Sequence, residues 1–134
     1  MKILLDEQIH KEFKKALKAH SNIFTIEDMG WKGFRNGILR EKLNENKFDF
    51  LISADKSLPF QQNIQKMNYT IILIDTPSLR EGKQILFIPK VQNLLQNLPN
   101  PIPKLIHICI PEWNNVWLIE GLKKKILPNQ ILFI

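Results

Sequence analysis

Short apolar runs recur along the chain, each followed by polar residues and then by a stretch with apolar positions three or four apart. The first run, residues 2–5, predicts a buried strand. Asp6 follows as a helix N-cap. Ile9, Phe13, Ala16 and Leu17 then recur at helical spacing, with Lys11, Lys14, Lys15 and Lys18 on the opposite face. That helix is expected to end near His20. Residues 23–26 predict a second strand, closed by Glu27 and Asp28. Gly30, Gly33 and Gly37 mark a loop. A helix over about 38–46 leads to a third strand at 48–53. A short helix over 58–67 leads to a fourth strand at 70–74. Ser78 is expected to cap a helix running toward Leu98 and interrupted at Pro89. Residues 104–110 predict a fifth strand. The remaining segment offers a helix over 112–125 and a strand over 131–134.

Strands alternating with helices predict an α/β fold with a central, mainly parallel sheet and right-handed crossovers. No linker interrupts residues 1–110, which read as one domain. Residues 111–134 read as a helix–strand extension packed on that domain or on a partner. The terminal Ile-Leu-Phe-Ile is too apolar to stand in water.

Composition narrows the picture a little. The 134 residues suit one domain. The single cysteine, Cys109, excludes an internal disulfide framework and a multi-cysteine zinc site. With no apolar run of membrane length and no leader pattern at the start, a cytoplasmic protein is expected, away from the membrane. The net charge of +6 suits an anionic partner such as nucleic acid. However, 16 of the 19 basic residues are Lys, and Arg is the specialist for bidentate phosphate contact. A general bias in residue usage explains the charge as well. His10, His20 and His107 have no ligand-spaced partner in sequence.

The acids are more informative. Asp6, Asp28, Asp55 and Asp75 each follow one of the first four strands. In a parallel sheet those strand ends share one edge, where open α/β sheets bind ligands. With strand one central, Asp6 and Asp55 become neighbours. Carboxylates brought together repel unless a cation lies between them. Their hard oxygens suit Mg²⁺ or Mn²⁺, which activates water and stabilises charge on a phosphate. Each acid alone is also explained as a helix cap or a solvated loop residue.

Three segments carry a resemblance: 1–7 (MKILLDE), 30–37 (GWKGFRNG) and 48–63, which contains ISADK and LPFQQN. In this order and spacing they resemble the short PIN-like proteins of bacteria, many encoded beside small antitoxin-like genes. The resemblance covers about residues 1–110. It implies a PIN-like three-layer α/β/α fold and metal-dependent endoribonuclease activity of the toxin–antitoxin type. Asp6 and Asp55 are carried over as the acids that bind Mg²⁺ or Mn²⁺. RNA and a small antitoxin protein are the implied partners, and the apolar tail adds a second copy of the chain. In related proteins Glu often follows the Asn-Gly pair, but here Ile38 follows Asn36 and Gly37. Glu41, one turn further along the helix, is the candidate third acid, although its side chain starts ~4–5 Å further along the axis. For RNA hydrolysis, Lys11 and Lys56 are candidates to neutralise the phosphate, and Lys32 and Arg35 to bind the flanking backbone. Gln62 and Asn63 either contact substrate or cap their own helix. Trp31 and Phe34 either stack on an unpaired base or anchor the loop on the core.

Two other readings are consistent with the same residues. A phosphate-accepting receiver domain also has acids after strand one and a lone Asp after strand three, as Asp6, Glu7 and Asp55 stand here. It expects a Lys after strand five, where this chain has Ile110-Pro111-Glu112-Trp113. A PIN-like scaffold lacking its third acid is instead an interaction protein, with Trp113, Trp117 and residues 131–134 as its partner surface.

Overall fold

The computed structural model describes residues 1–134 except His20, Asn114 and the side chain of Glu81. The expectation placed on His20 therefore lies outside the described residues. Six strands form one sheet: β1 (Lys2–Leu5), β2 (Asn22–Thr25), β3 (Phe50–Ser53), β4 (Thr70–Ile74), β5 (Leu105–Ile108) and β6 (Ile131–Phe133). Their order is β2-β1-β3-β4-β5-β6, and every pairing is parallel. The fold is α/β, with helices covering both faces of the sheet.

Strand alternation sorts the core into two layers. Ile3 and Leu5 of β1, Phe50 and Ile52 of β3, and Ile72 and Ile74 of β4 face one way. Phe13 and Leu17 of α1 (Glu12–Leu17) cover them, together with Val91, Leu94 and Leu95 of α6 (Ile88–Gln96). Leu4, Leu51, Ile71 and Leu73 face the other way. They meet Leu39 and Leu43 of α3 (Asn36–Glu45), Leu58 of α4 (Leu58–Gln61), and Leu118 and Leu122 of α7 (Val116–Lys125). Strands covered on both faces read as unbroken apolar runs, which is why the sequence pattern exposed them.

The connections depart from expectation in four places. The first helix begins at Glu12 rather than after Asp6. Residue 26 opens a short helix, α2 (Ile26–Met29), instead of closing β2. The 58–67 segment divides into α4 and a 3-10 turn at Ile64–Lys66. The long helix after Ser78 breaks into α5 (Glu81–Gln84), a 3-10 turn at Ile85–Phe87, and α6 with Pro89 in its first turn. Proline there removes no helical hydrogen bond. This segment packs beside α1, and the Gln92 Nε2 donates to the Ala16 carbonyl at 3.2 Å. It lies on the same face as α1 although β4 to β5 crosses the sheet in the opposite direction to β1 to β2. That connection therefore has the opposite hand to the others, contrary to uniformly right-handed crossovers.

The segment after residue 110 adds the last strand to the same sheet. β6 pairs with β5 through Leu105 to Ile131, Ile106 to Leu132 and His107 to Phe133. α7 crosses close over α4. A Cβ on Gly121 would meet Phe60 Cζ at 3.3 Å, and Lys125 Nζ donates to the Phe60 carbonyl at 2.6 Å. No helix among the described residues is long and apolar enough to cross a membrane.

Candidate functional site

β1 is the turning point of the sheet. The chain leaves β1 for β2 on one side and returns to β3 on the other. Loops after β1 and β3 therefore diverge, and the crevice between their carboxyl ends is the usual ligand position in such sheets. Asp6 follows β1 and Asp55 lies just beyond β3.

Ser53, buried at the end of β3, joins the two. Its hydroxyl donates to Asp6 Oδ2 at 2.7 Å and accepts from the Asp55 backbone N–H at 3.0 Å. Asp6 Oδ1 accepts from the Glu7 N–H at 2.9 Å. Asp55 Oδ1 accepts from the Ser57 N–H at 3.0 Å and from the Ser57 hydroxyl at 2.6 Å. Burial raises the Asp6 carboxyl above the usual carboxylate range. The Ser53 and Glu7 hydrogen bonds oppose that shift, and the charges of Asp55 and Glu7 add to it. Asp6 is thus a carboxylate whose charge is disfavoured by burial, held near a second negative group and not used to cap a helix.

The other two acids of the expected set have structural partners. Asp28 and Thr25 form a capping box at the start of α2, and Lys14 Nζ lies 2.8 Å from Asp28 Oδ2. The Lys14 bond, followed by the Thr25 backbone bond, lowers its carboxyl below the usual range. Asp75 is buried at the end of β4, with Oδ2 2.9 Å from His107 Nε2. Its Oδ1 lies 3.6 Å from Lys56 Nζ and 3.4 Å from Asn115 Nδ2, which donates to it. Two of the four edge acids are therefore committed to the fold, and Asp6 with Asp55 remain.

The predicted basic residues divide in the same way. Lys11 and Lys32 share a cleft of ≈ 310 Å³ with Asp6. Lys56 shares a second depression, ≈ 350 Å³, with Asp55. Arg35 is exposed at the start of α3. Asn63 is spent on a turn: its Oδ1 accepts from the Gln65 N–H at 3.2 Å. Gln62 is buried, and its Nε2 donates to the Asn36 carbonyl at 3.1 Å. Trp31 anchors its loop. Gly30 closes α2 with φ 70, a conformation that glycine adopts without strain, and this turns Trp31 inward. There it meets Phe48 edge-on at 5.8 Å.

Glu41 is exposed on α3, about 200° around the helix from the buried Leu39. The cleft holding Asp6 instead contains Glu7, an acid of the receiver reading, and Glu27, which closes the second apolar run in sequence. Among the described residues no group of three or more His, Cys, Asp or Glu is placed to hold a metal ion. Asp6 and Asp55 supply hard carboxylate oxygens of the kind a hard cation takes, and they line neighbouring depressions. Mg²⁺ is commonly held by one or two carboxylates and completes its shell with water and phosphate oxygens.

Comparison with protein-family models, with curated proteins and with solved structures yields no match.

Proposed function

We propose that the chain is a metal-dependent endoribonuclease of PIN-like, toxin type, with Asp6 and Asp55 as its metal-holding pair. The observation that carries this reading is the Ser53 bridge, which holds both acids at the sheet's turning point while burial and mutual repulsion disfavour the Asp6 charge. A carboxylate kept there at a cost to the fold is what a functional site requires.

Bound Mg²⁺ or Mn²⁺ supplies a water of lowered pKa and charge stabilisation on the phosphate. The chain's own residues do the rest. Asp6 and Asp55 present oxygen donors from two fixed strand ends. Ser53 ties the Asp6 carboxylate to the backbone at Asp55. Lys11 and Lys32 on one side, and Lys56 on the other, face the anionic backbone of a strand laid across the edge. RNA is the substrate in this reading, and a small acidic antitoxin is a partner suited to the same basic rim.

The test is cleavage of a labelled single-stranded RNA with Mn²⁺ or Mg²⁺, beside a chelator control and the Asp55→Asn variant. Metal-dependent cutting lost in the variant supports the reading. Equal cutting by both proteins refutes it. The exposure of Glu41, the candidate third acid, favours one alternative, a PIN-like scaffold retained only for binding. No cutting under any metal, with RNA still bound, is its signature.

A further inference from the structure

We infer that Trp117 stacks an unpaired base of the RNA, while Lys56 holds the phosphate that connects that base to the Asp6–Asp55 site. This rests on the ribonuclease reading above and extends its substrate track toward β5. Trp117, in the first turn of α7, is 88% exposed, more than any other large apolar side chain among the described residues. The other two indoles are used by the fold. Trp31 is buried against Phe48. Trp113 packs on Phe87 at 6.2 Å, with Lys83 Nζ 4.8 Å from its ring centre. The packed stripe of α7 is Leu118 and Leu122, so nothing in the core holds Trp117 in place or needs it.

Trp117 forms one wall of a depression of ≈ 340 Å³ that also contains Lys56, Asp75, Trp113 and Asn115. Lys56 lines this depression and the adjacent one that holds Asp55. It therefore stands between Asp55 of the candidate pair and the free indole. Its ammonium is not a loose surface charge. Asp75 lies 3.6 Å away, and that carboxylate is itself locked by His107 from beneath and by Asn115 from the side. A cation held beside an open aromatic face suits one nucleotide, the phosphate on the ammonium and the base on the ring.

The same chemistry argues against an apolar protein surface as the occupant. Asp75 faces one side of the half-exposed Lys56 ammonium, and covering this depression with apolar groups would strip water from its remaining N–H donors. A phosphate oxygen accepts from those donors. Lys83, with its ammonium against the Trp113 ring, adds a second cation beside the depression.

The experiment measures binding without chemistry. A short labelled oligo(A) is titrated in chelator into the wild type, Trp117→Ala and Trp117→Phe, with indole emission followed in parallel. Trp117 is 88% exposed, so both variants are expected to fold. The expected result is a loss of roughly 5- to 150-fold in affinity for Trp117→Ala, the range of one base–aromatic stack. Trp117→Phe retains most of the affinity, and RNA quenches an exposed-indole emission that Trp117→Ala lacks. Affinity of Trp117→Ala within about twofold of wild type overturns the inference. So does an altered mass in solution without altered RNA affinity, which assigns the ring to a second copy of the chain. RNA cleavage by the wild type together with unchanged binding in Trp117→Ala overturns this inference alone. Trp117-dependent binding without cleavage under any metal supports it and refutes the catalytic reading.

Discussion

Replacing Ser53 by Ala tests the bridge between the two acids without removing either one. The hydroxyl makes a charge-assisted bond to Asp6 at 2.7 Å and accepts the Asp55 N–H at 3.0 Å. Loss of a hydrogen bond to a charged group costs about 1.5–3 kcal/mol, and an unpaired buried N–H about 1–3 kcal/mol. The two effects share one site and do not simply add, so a destabilisation of about 2–4 kcal/mol is expected at neutral pH. For a domain of this size that lowers Tm by on the order of 10 °C.

The pH dependence carries the sharper information. Burial holds the native Asp6 carboxyl above the usual carboxylate range, so the native state binds more protons than the unfolded state as Asp6 titrates. Its contribution to stability is greatest below the unfolded pKa and is lost as pH rises through the native one. Ser53 opposes that shift, so Ser53→Ala moves the Asp6 titration further up. The variant's deficit therefore shrinks as pH falls and Asp6 protonates, leaving the Asp55 N–H cost. Urea unfolding of both proteins across an acidic to neutral series measures this directly. A deficit below about 0.5 kcal/mol, the scatter of ordinary surface substitutions, or one that does not change with pH, would refute the reasoning.

Other outcomes follow from the same geometry. Asp55→Asn removes a charge that raises Asp6, so the Asp6 carboxyl should titrate lower by carbon-detected NMR; no movement would disconnect the two acids. Asp75→Ala leaves His107 and Lys56 without their shared partner and is expected to cost about 1–3 kcal/mol in denaturant unfolding, the usual penalty for a buried polar group left unpaired. A loss near zero would mean that water replaces the carboxylate freely. Trp31→Ala should cost about 3–5 kcal/mol, because it empties a buried ring site. Trp117→Ala should stay within about 0.5 kcal/mol of wild type, and similar losses for the two would contradict the assignment of one as anchor and the other as free.

The strands and their order of appearance were legible because buried parallel strands are continuous apolar runs bounded by polar residues. The placement of Asp6 near Asp55 was legible too, since a central first strand makes them neighbours. The fate of Asp28 was not. Its capping of α2 depends on Thr25 leaving β2 one residue earlier than the apolar run suggests. Nor was the Asp75–His107 pair, which joins residues 32 positions apart through the β4–β5 register. Ile131–Phe133 read as a strand from composition, but only pairing with β5 shows it to be the sixth strand of the same sheet. Glu41 was placed by counting one turn along a helix. That rule gives position along the axis, whereas the buried stripe of Leu39 and Leu43 sets which way the helix is turned. Ser53 offered no signal in sequence, because a serine at the end of a strand becomes informative only when its hydroxyl has two partners.

The central claim is that Asp6 and Asp55 act as one cation-holding unit. Titration of Mn²⁺ followed by electron paramagnetic resonance tests it most directly, with the wild type, Asp6→Asn and Asp55→Asn compared at neutral pH. The account expects one ion per wild-type chain and severe loss in either variant, because each acid supplies half of the protein's donors. Binding by both variants as tight as by the wild type, or no binding by the wild type in the presence of RNA, would contradict it.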